Sequence, residues 1–443
     1  MPGPKPSSFE PDLSLPKRVD VVVIGGGIIG ASTALELAER GQSVLLCEKG
    51  QIGGEQSSRN WGWVRLGMRD PREIPLMIEA LRLWKGLDAR LGRETGYRQT
   101  GILFGCATDR DLADHQRWMR NLEPYQAQAA IVSGKALDAL LPGNELPLKG
   151  ALHTPGDGRA EPQWAAPAIA EGARDRGATV MTGCAVRSVE TAAGRISGVM
   201  TERGRVSCDA VVLAGGAWSR LFAGNAGIFL PQLKVLNTVM RTSPVEDGPA
   251  PALWSGGFAI RKRADGGYTV ASGTENMVDL VPDSFRLAWR FLPAFAQDWR
   301  SLRFRLGRRW AEEAREPRRW APAEVTPFER CRVLDPEPSE KVLRRAWAEA
   351  RKAFPALDRA EIVQSWAGMI DVTPDAIPVI SGVDDLPGMF IATGFSGHGF
   401  GIGPGAGRLM ADLVTGVVPC VDPQAFRLSR FTDGSKVRPD PGY

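Results

Sequence analysis

Three glycines, Gly25, Gly27 and Gly30, stand in G-x-G-x-x-G spacing directly behind an apolar run, Val21-Val22-Val23-Ile24. The chemistry served by this spacing is the binding of a pyrophosphate. Gly25 permits a tight turn, Gly27 lets backbone approach the phosphates, and Gly30 lets the following helix pack closely on its strand. The helix predicted from Ile28 to Arg40, with Ile28 and Ile29 in its first turn, then directs free amides and a positive dipole end at the anion. A second apolar run, Ser43 to Cys47, ends in Glu48, placed to accept hydrogen bonds from ribose hydroxyls, and Lys49 follows it. Strand, glycine turn, helix, strand and acid occur in order within about 30 residues. The acid favours FAD or NAD over NADP, whose ribose carries a phosphate. A reading in which the glycines only pack a helix leaves Glu48 unexplained.

Three further segments favour FAD. The loop Gly53 to Gly62 is small and polar, and Ser57, Ser58, Arg59, Asn60, Trp61 and Gly62 are candidates to line a pyrophosphate and ribityl chain. A strand near Asp209 to Ala214 leads into Gly215-Gly216-Ala217-Trp218, so Ala214, Gly215, Gly216 and Trp218 join the candidates, with Val186. A buried strand from Met389 to Ala392 feeds Gly394 to Gly401, and a helix is predicted from about Gly405 to Thr415. Gly397, His398, Gly399, Phe400 and Gly401 are the expected cofactor contacts there. A helix N-terminus at this place favours negative charge on a reduced flavin.

At these blocks the chain resembles the D-amino-acid-oxidase superfamily of FAD enzymes, in particular its sarcosine oxidase-like branch. The carriers are Val22 to Gly30, Asp209 to Ser219, Trp366 to Asp375 and Gly394 to Phe400. The resemblance implies an α/β fold with a Rossmann-type FAD-binding domain, discontinuous over residues 1–65, 155–235 and 355–443. It implies a second substrate domain built on a large mixed or antiparallel sheet, from residues 66–154 and 236–354. The implied reaction is oxidation of the C–N bond of a small amine or amino acid (D-amino acid, N-methyl amino acid or cyclic imino acid), by hydride transfer to flavin N5. Such chemistry asks the protein for orientation and water exclusion more than for acid–base groups.

Carried over residue by residue, the resemblance is uneven. Arg65 matches an arginine that binds the substrate carboxylate, a role suited to its planar fork; pairing with an internal acid is the alternative. Ile370 stands where D-amino acid and glycine oxidases carry arginine, and Gly401 where monomeric sarcosine oxidases carry lysine. Gly368 stands near the position of their flavin-tethering cysteine, so noncovalent FAD is expected. No lysine occurs near Thr269 and Val270, where those oxidases promote reaction with oxygen, which tilts the reading toward a dehydrogenase. His398 is a flavin-contact candidate, and Tyr268 a candidate for orienting substrate from a strand. Asp371 either attracts a cationic substrate group or caps a turn. Trp61, Trp63, Trp254 and Trp366 divide between an apolar substrate wall and plain core packing.

The elements that must position these residues follow from pattern and composition. A chain of 443 residues exceeds one ordinary core, so two domains are expected. Pro71 to Leu91 has apolar residues at helical spacing, Gly257 to Ser272 alternates around a turn at residues 264–267, and residues 281–353 read as mainly helical. The basic run Arg303 to Arg319 is broken by Glu312, Glu313 and Glu316, which suits a solvated amphipathic helix or a docking face.

Net charge of only +4 gives no reason to expect nucleic acid. Six scattered cysteines and three histidines argue against a metal site or disulfide framework and fit a reducing, cytoplasmic setting. Met1 to Arg18 carries no apolar signal core, and Val19 to Ala38, with Asp20, Glu36 and the glycine cluster inside it, reads as strand and helix rather than a membrane span. The expected partners are a small amine or amino acid and an electron acceptor, O2 or another carrier. Two alternatives stand beside the enzyme reading: the catalytic β subunit of a heteromeric sarcosine or opine oxidase, with partner subunits, and a flavin-binding assembly factor without turnover.

Overall fold

The computed structural model describes residues 3–440, apart from the side chain of Asp298. Val21–Ile24 lies inside a six-stranded sheet because its side chains are buried on both faces. Val44–Cys47 and Ala210–Leu213 flank it in parallel register. Thr179–Met181 and Met389–Thr393 extend the sheet, and Val379–Gly382 closes one edge antiparallel. The chain moves from Val21–Ile24 to one neighbour and returns much later on the other side. That reversal opens a crevice beyond the carboxyl ends of the strands.

The helix Ile28–Glu39 rises from this crevice. Gly25 takes φ +108°, a conformation unsuited to side chains, and a Cβ on Gly30 would lie 1.9 Å from the Gly25 carbonyl oxygen. The helix Gly399–Thr415 packs beside it, with Ile402, Ala406, Leu409 and Met410 sharing one core with Ile28, Ala31 and Leu35. This second helix starts six residues before the predicted Gly405. Its glycines and Pro404 argue against helix by propensity, and tertiary burial overrides them.

The second layer is a ten-stranded mixed sheet. Its spine runs through Leu233–Thr242, Tyr268–Ser272, Phe258–Lys262, Ala252–Trp254 and Ile102–Cys106. Phe258–Lys262 and Tyr268–Ser272 form the expected hairpin. The expected α/β class, with a Rossmann-type layer and a large mixed sheet, is what the chain adopts. One strand differs in placement from the expected segmentation: Ile362–Val372, inside the third FAD-domain stretch, pairs along Leu233–Thr242 in the large sheet. Residues 281–353 are mainly helical, with one strand, Leu302–Arg305, parallel to Asn276–Asp279. Among the described residues no helix is long and apolar enough to cross a membrane.

The contact at Gly30 gives a first test. Gly30→Ala forces the helix off its strand and is expected to cost about 1–3 kcal/mol. Thermal unfolding of the variant against the wild type measures it, and an unchanged midpoint would refute the close approach.

Candidate active site

A cavity of about 1160 Å³ occupies the crevice between the two sheets. That volume exceeds the roughly 300–1,000 Å³ usual for small-molecule clefts, which suits a dinucleotide plus a second ligand. The cavity is lined by Gly25, Gly27, Ile28, Ile29 and Glu48 from the first βαβ unit, and by Ala214, Gly215, Gly216 and Trp218 from the second glycine turn. Val186, Gly368 and Gly397 to Gly401 complete the set that the sequence brings forward. Two helix starts, at Ile28 and Gly399, therefore reach one space, and first-turn amides without partners inside their own helices favour an anion there.

The Glu48 carboxylate accepts the Gly26 and Gly50 amides, both at 2.7 Å, while burial raises its pKa against the pull of Lys49 and those amides. Its oxygens keep lone pairs for ribose hydroxyls. Ser57 Oγ accepts the Ile28 amide at 2.9 Å and lines the cavity, so its hydroxyl proton remains available to a phosphate oxygen. This donor and acceptor set fits FAD at both the phosphate and the ribose ends.

Lys49, Glu55, Arg59 and Asn60 also line the cavity, with their side chains tied into its wall. Lys49 lines the cavity, but its ammonium is held by Glu55 at 2.6 Å and by the Cys331 and Arg332 carbonyls. Glu55 also accepts the Trp218 indole at 3.0 Å and the Leu334 amide at 3.0 Å. Asn60 closes the short helix Gln56–Arg59 through the Gln56 and Ser57 carbonyls, and its Oδ1 accepts the Gly62 amide. Arg59 is spent on Asp335 at 2.5 Å and the Ala367 carbonyl.

Three expectations need correction. Ser58 is buried behind the loop, its Oγ donating to the Glu55 carbonyl. Gly62 packs against the Arg261 guanidinium and the Ala160 carbonyl rather than on the cavity. Tyr268 faces the opposite side of the sheet. Its hydroxyl donates to the Pro249 carbonyl at 3.1 Å, and its ring packs with Ala346 and Ala350, so it does not orient substrate.

The far end of the cavity holds an ionic cluster. Arg65 Nη1 donates to the Gly67 and Met68 carbonyls at 2.6 and 3.1 Å, and its guanidinium lies 5.9 Å from the Phe104 ring centre. Asp157 braces the same loop by accepting the Leu66 and Gly67 amides. Arg69, 1% exposed, donates to the Arg65 carbonyl and to the His398 carbonyl, both at 3.1 Å, joining the arginine loop to the glycine-rich turn. Glu73 has no exposed surface and lies 3.6 Å from both Arg69 Nη1 and His398 Nδ1. Burial pushes its carboxyl up, but Arg69, His398 and Arg65 outweigh that and hold it below the ordinary value. Burial, then the Arg69 cation, drives His398 down to about 4 from an ordinary 6.5. The imidazole is therefore neutral at physiological pH and is not a proton store.

Sequence reasoning did not single out Arg69, Glu73, Glu55 or Asp157. The i, i+4 spacing of Arg65, Arg69 and Glu73 is the one signal that points to part of this cluster. Trp61, Trp63 and Trp254 line the cavity, with Trp61 and Trp63 edge to face at 5.4 Å. Trp366 does not; it is buried and donates to the Arg59 carbonyl at 2.9 Å. Asp371 caps a turn: it accepts the Gly394 amide at 2.6 Å, the Thr393 hydroxyl and the Gln232 amide.

Because unfolded His398 takes its proton near 6.5 and the folded form only near 4, stability is complete above pH 6.5 and falls as pH drops toward 4. His398→Gln removes that titration. The wild-type unfolding midpoint is expected to fall more steeply than the variant's across this window, measured by differential scanning calorimetry; parallel curves would show an exposed imidazole.

A family model described as FAD dependent oxidoreductase matches residues 20–413. The chain is 27% identical to 4-methylaminobutanoate oxidase (formaldehyde-forming) of Paenarthrobacter nicotinovorans over 94% of its own length, and spans 46% of that protein. It is 24% identical to sarcosine oxidase subunit beta of Rhodobacter capsulatus, covering 94% of this chain and 90% of that one. Among solved structures, L-amino acid deaminase from Proteus myxofaciens, in complex with anthranilate, superposes with a TM-score of 0.94 at 34% identity over 98% of both chains. The chain belongs to the FAD dependent oxidoreductase family, with sarcosine oxidase-like relatives.

Proposed function

Within that family, we propose that the chain oxidises the C–N bond of a free α-amino acid whose carboxylate is held by Arg65. The observation that carries this reading is a guanidinium fixed by two carbonyls beside Trp61, Trp63 and Phe104, in a cavity that also takes the two helix starts. Arg65 is half-buried, and desolvation lowers its pKa while Glu73 and Asp157 oppose the shift; it stays cationic, since an arginine titrates far above neutrality. Its remaining N–H groups suit a bidentate grip on a carboxylate. Lodged there, an amino acid directs its α-carbon away from the arginine loop, while Trp61, Trp63 and Trp254 exclude water. FAD bound in this cavity would supply the acceptor for the hydride, and with it the two electrons, that the α C–H gives up.

His398 contributes a neutral ring and a backbone carbonyl tied to Arg69. It neither repels the substrate's amine nor takes its proton. The likeness to L-amino acid deaminase supports a primary L-α-amino acid, beyond the D-, N-methyl and cyclic substrates considered from sequence. The likeness to 4-methylaminobutanoate oxidase and sarcosine oxidase subunit beta supports an N-methyl substrate as the second reading; the latter's name is also the support for partner subunits. A dehydrogenase assignment rests on the lining lysines, Lys49 and Lys234, both being paired with glutamates. Noncovalent FAD rests on Gly368 in the tethering position.

Anaerobic bleaching of the flavin by a panel of L-, D- and N-methyl amino acids tests the assignment. L-α-amino acids are expected to bleach it, and Arg65→Met is expected to lower kcat/KM about a hundredfold or more, mostly through KM. Bleaching by N-methyl amino acids alone would transfer the assignment to the second reading. An unaffected Arg65→Met would remove the arginine from substrate binding. Acid precipitation is expected to leave the yellow colour in the supernatant; a yellow pellet would mean a covalent flavin.

A further inference from the structure

Cys47 and Cys184 meet in the core, sulfur to sulfur at 4.0 Å, with 1% and 0% of their surfaces exposed. Cys47 ends the strand that Glu48 follows, and Cys184 lies in the turn after Thr179–Met181, the neighbouring strand. The Glu48 amide donates to the Met181 carbonyl at 2.8 Å, and the Cys184 amide donates to the Glu48 carbonyl at 2.9 Å. Backbone thus holds the two thiols side by side.

Cys47 also lines the cavity, as do Glu48, Ala185 and Val186 around the pair. An empty cavity therefore gives small solutes a route to one of the two sulfurs. A bound FAD with its ribose at Glu48 would cover this stretch of wall. The hydrogen bond with Cys184 and burial hold the Cys47 thiol well up. The hydrogen bond with Cys47 draws the Cys184 thiol down against burial, and the Arg203 cation adds to the pull. Cys184 is the readier nucleophile, and Cys47 is the sulfur that an incoming oxidant meets.

We infer that Cys47 and Cys184 form an oxidation site, closing to a disulfide when a peroxide enters the cavity in the absence of FAD. Cys47 passes two electrons to hydrogen peroxide and keeps one oxygen as a sulfenic acid, while the other oxygen leaves as water. The Cys184 sulfur then attacks the Cys47 sulfur. The S–O bond breaks, and the hydroxyl leaves as a second water with the Cys184 proton. To bond, the sulfurs must close in from 4.0 Å. That movement displaces Glu48, whose carboxylate holds the Gly26 and Gly50 amides, and disturbs the glycine turn with it. The site rests on FAD occupying this cavity and is independent of which amine is oxidised.

The full-length flavoprotein is incubated with hydrogen peroxide, with and without a saturating excess of FAD. Free thiols are then blocked, the chain is digested, and mass spectrometry follows the peptides joined through Cys47 and Cys184. The joined pair is expected to form about tenfold more slowly in excess FAD. The oxidised chain is expected to bind FAD about tenfold more weakly in a fluorescence titration, and dithiothreitol to restore the affinity. In Cys184→Ala, Cys47 is expected to stop at an oxygenated thiol with no joined pair; in Cys47→Ser, peroxide no longer changes the affinity for FAD. The inference is overturned if the wild type yields no joined pair or if excess FAD leaves the rate unchanged. It is equally overturned if the joined chain binds FAD as tightly as the untreated one.

Discussion

A helix that starts hard against its own strand leaves its first amides pointing out of the sheet, with no partner inside the helix. Gly30 brings Ile28–Glu39 to that distance, and Gly25 makes the turn that feeds it. The second helix, Gly399–Thr415, is buried against the first, so its start is carried to the same crevice. The remaining wall elements are arranged around this double supply of positive dipole ends. Glu48 and the arginine loop both line the cavity beside these helix starts.

Burying charge at the arginine loop has a cost that only mutual pairing offsets. Arg69, Glu73 and Asp157 are buried, and Arg65 stands half-buried beside them on the cavity. Four hydrogen bonds to backbone carbonyls, two from each arginine, fix the guanidinium planes in place without neutralising them. The neutral state of His398 belongs to the same balance, because another cation beside Arg69 would leave the cluster under-compensated.

Local patterns made the cofactor half of the molecule legible. Val21 to Glu48 is read within one βαβ unit, and Asp209 to Trp218 within one strand and turn, because each depends on neighbours in sequence. Tyr268 shows where that ends. Alternation tells that Tyr268 and Thr269 face opposite sides of a strand, but only the packing of Glu340–Ala353 decides which side is core. Glu55 and Glu73 carry no mark of their roles, since Trp218, Leu334 and His398, which they meet, lie on distant segments. The start at Gly399 was hidden by glycines that signal a loop, and Ile362–Val372 by its departure into the other sheet.

Glu55 binds Lys49, Trp218 and the Leu334 amide, so one carboxylate fastens pieces of chain nearly 280 positions apart. With Gly399 also in the lining, the cavity has no complete form until almost the whole polypeptide has left the ribosome. A nascent chain halted before residue 390 therefore has the first glycine turn but lacks the wall that Gly397 to Gly401 supply.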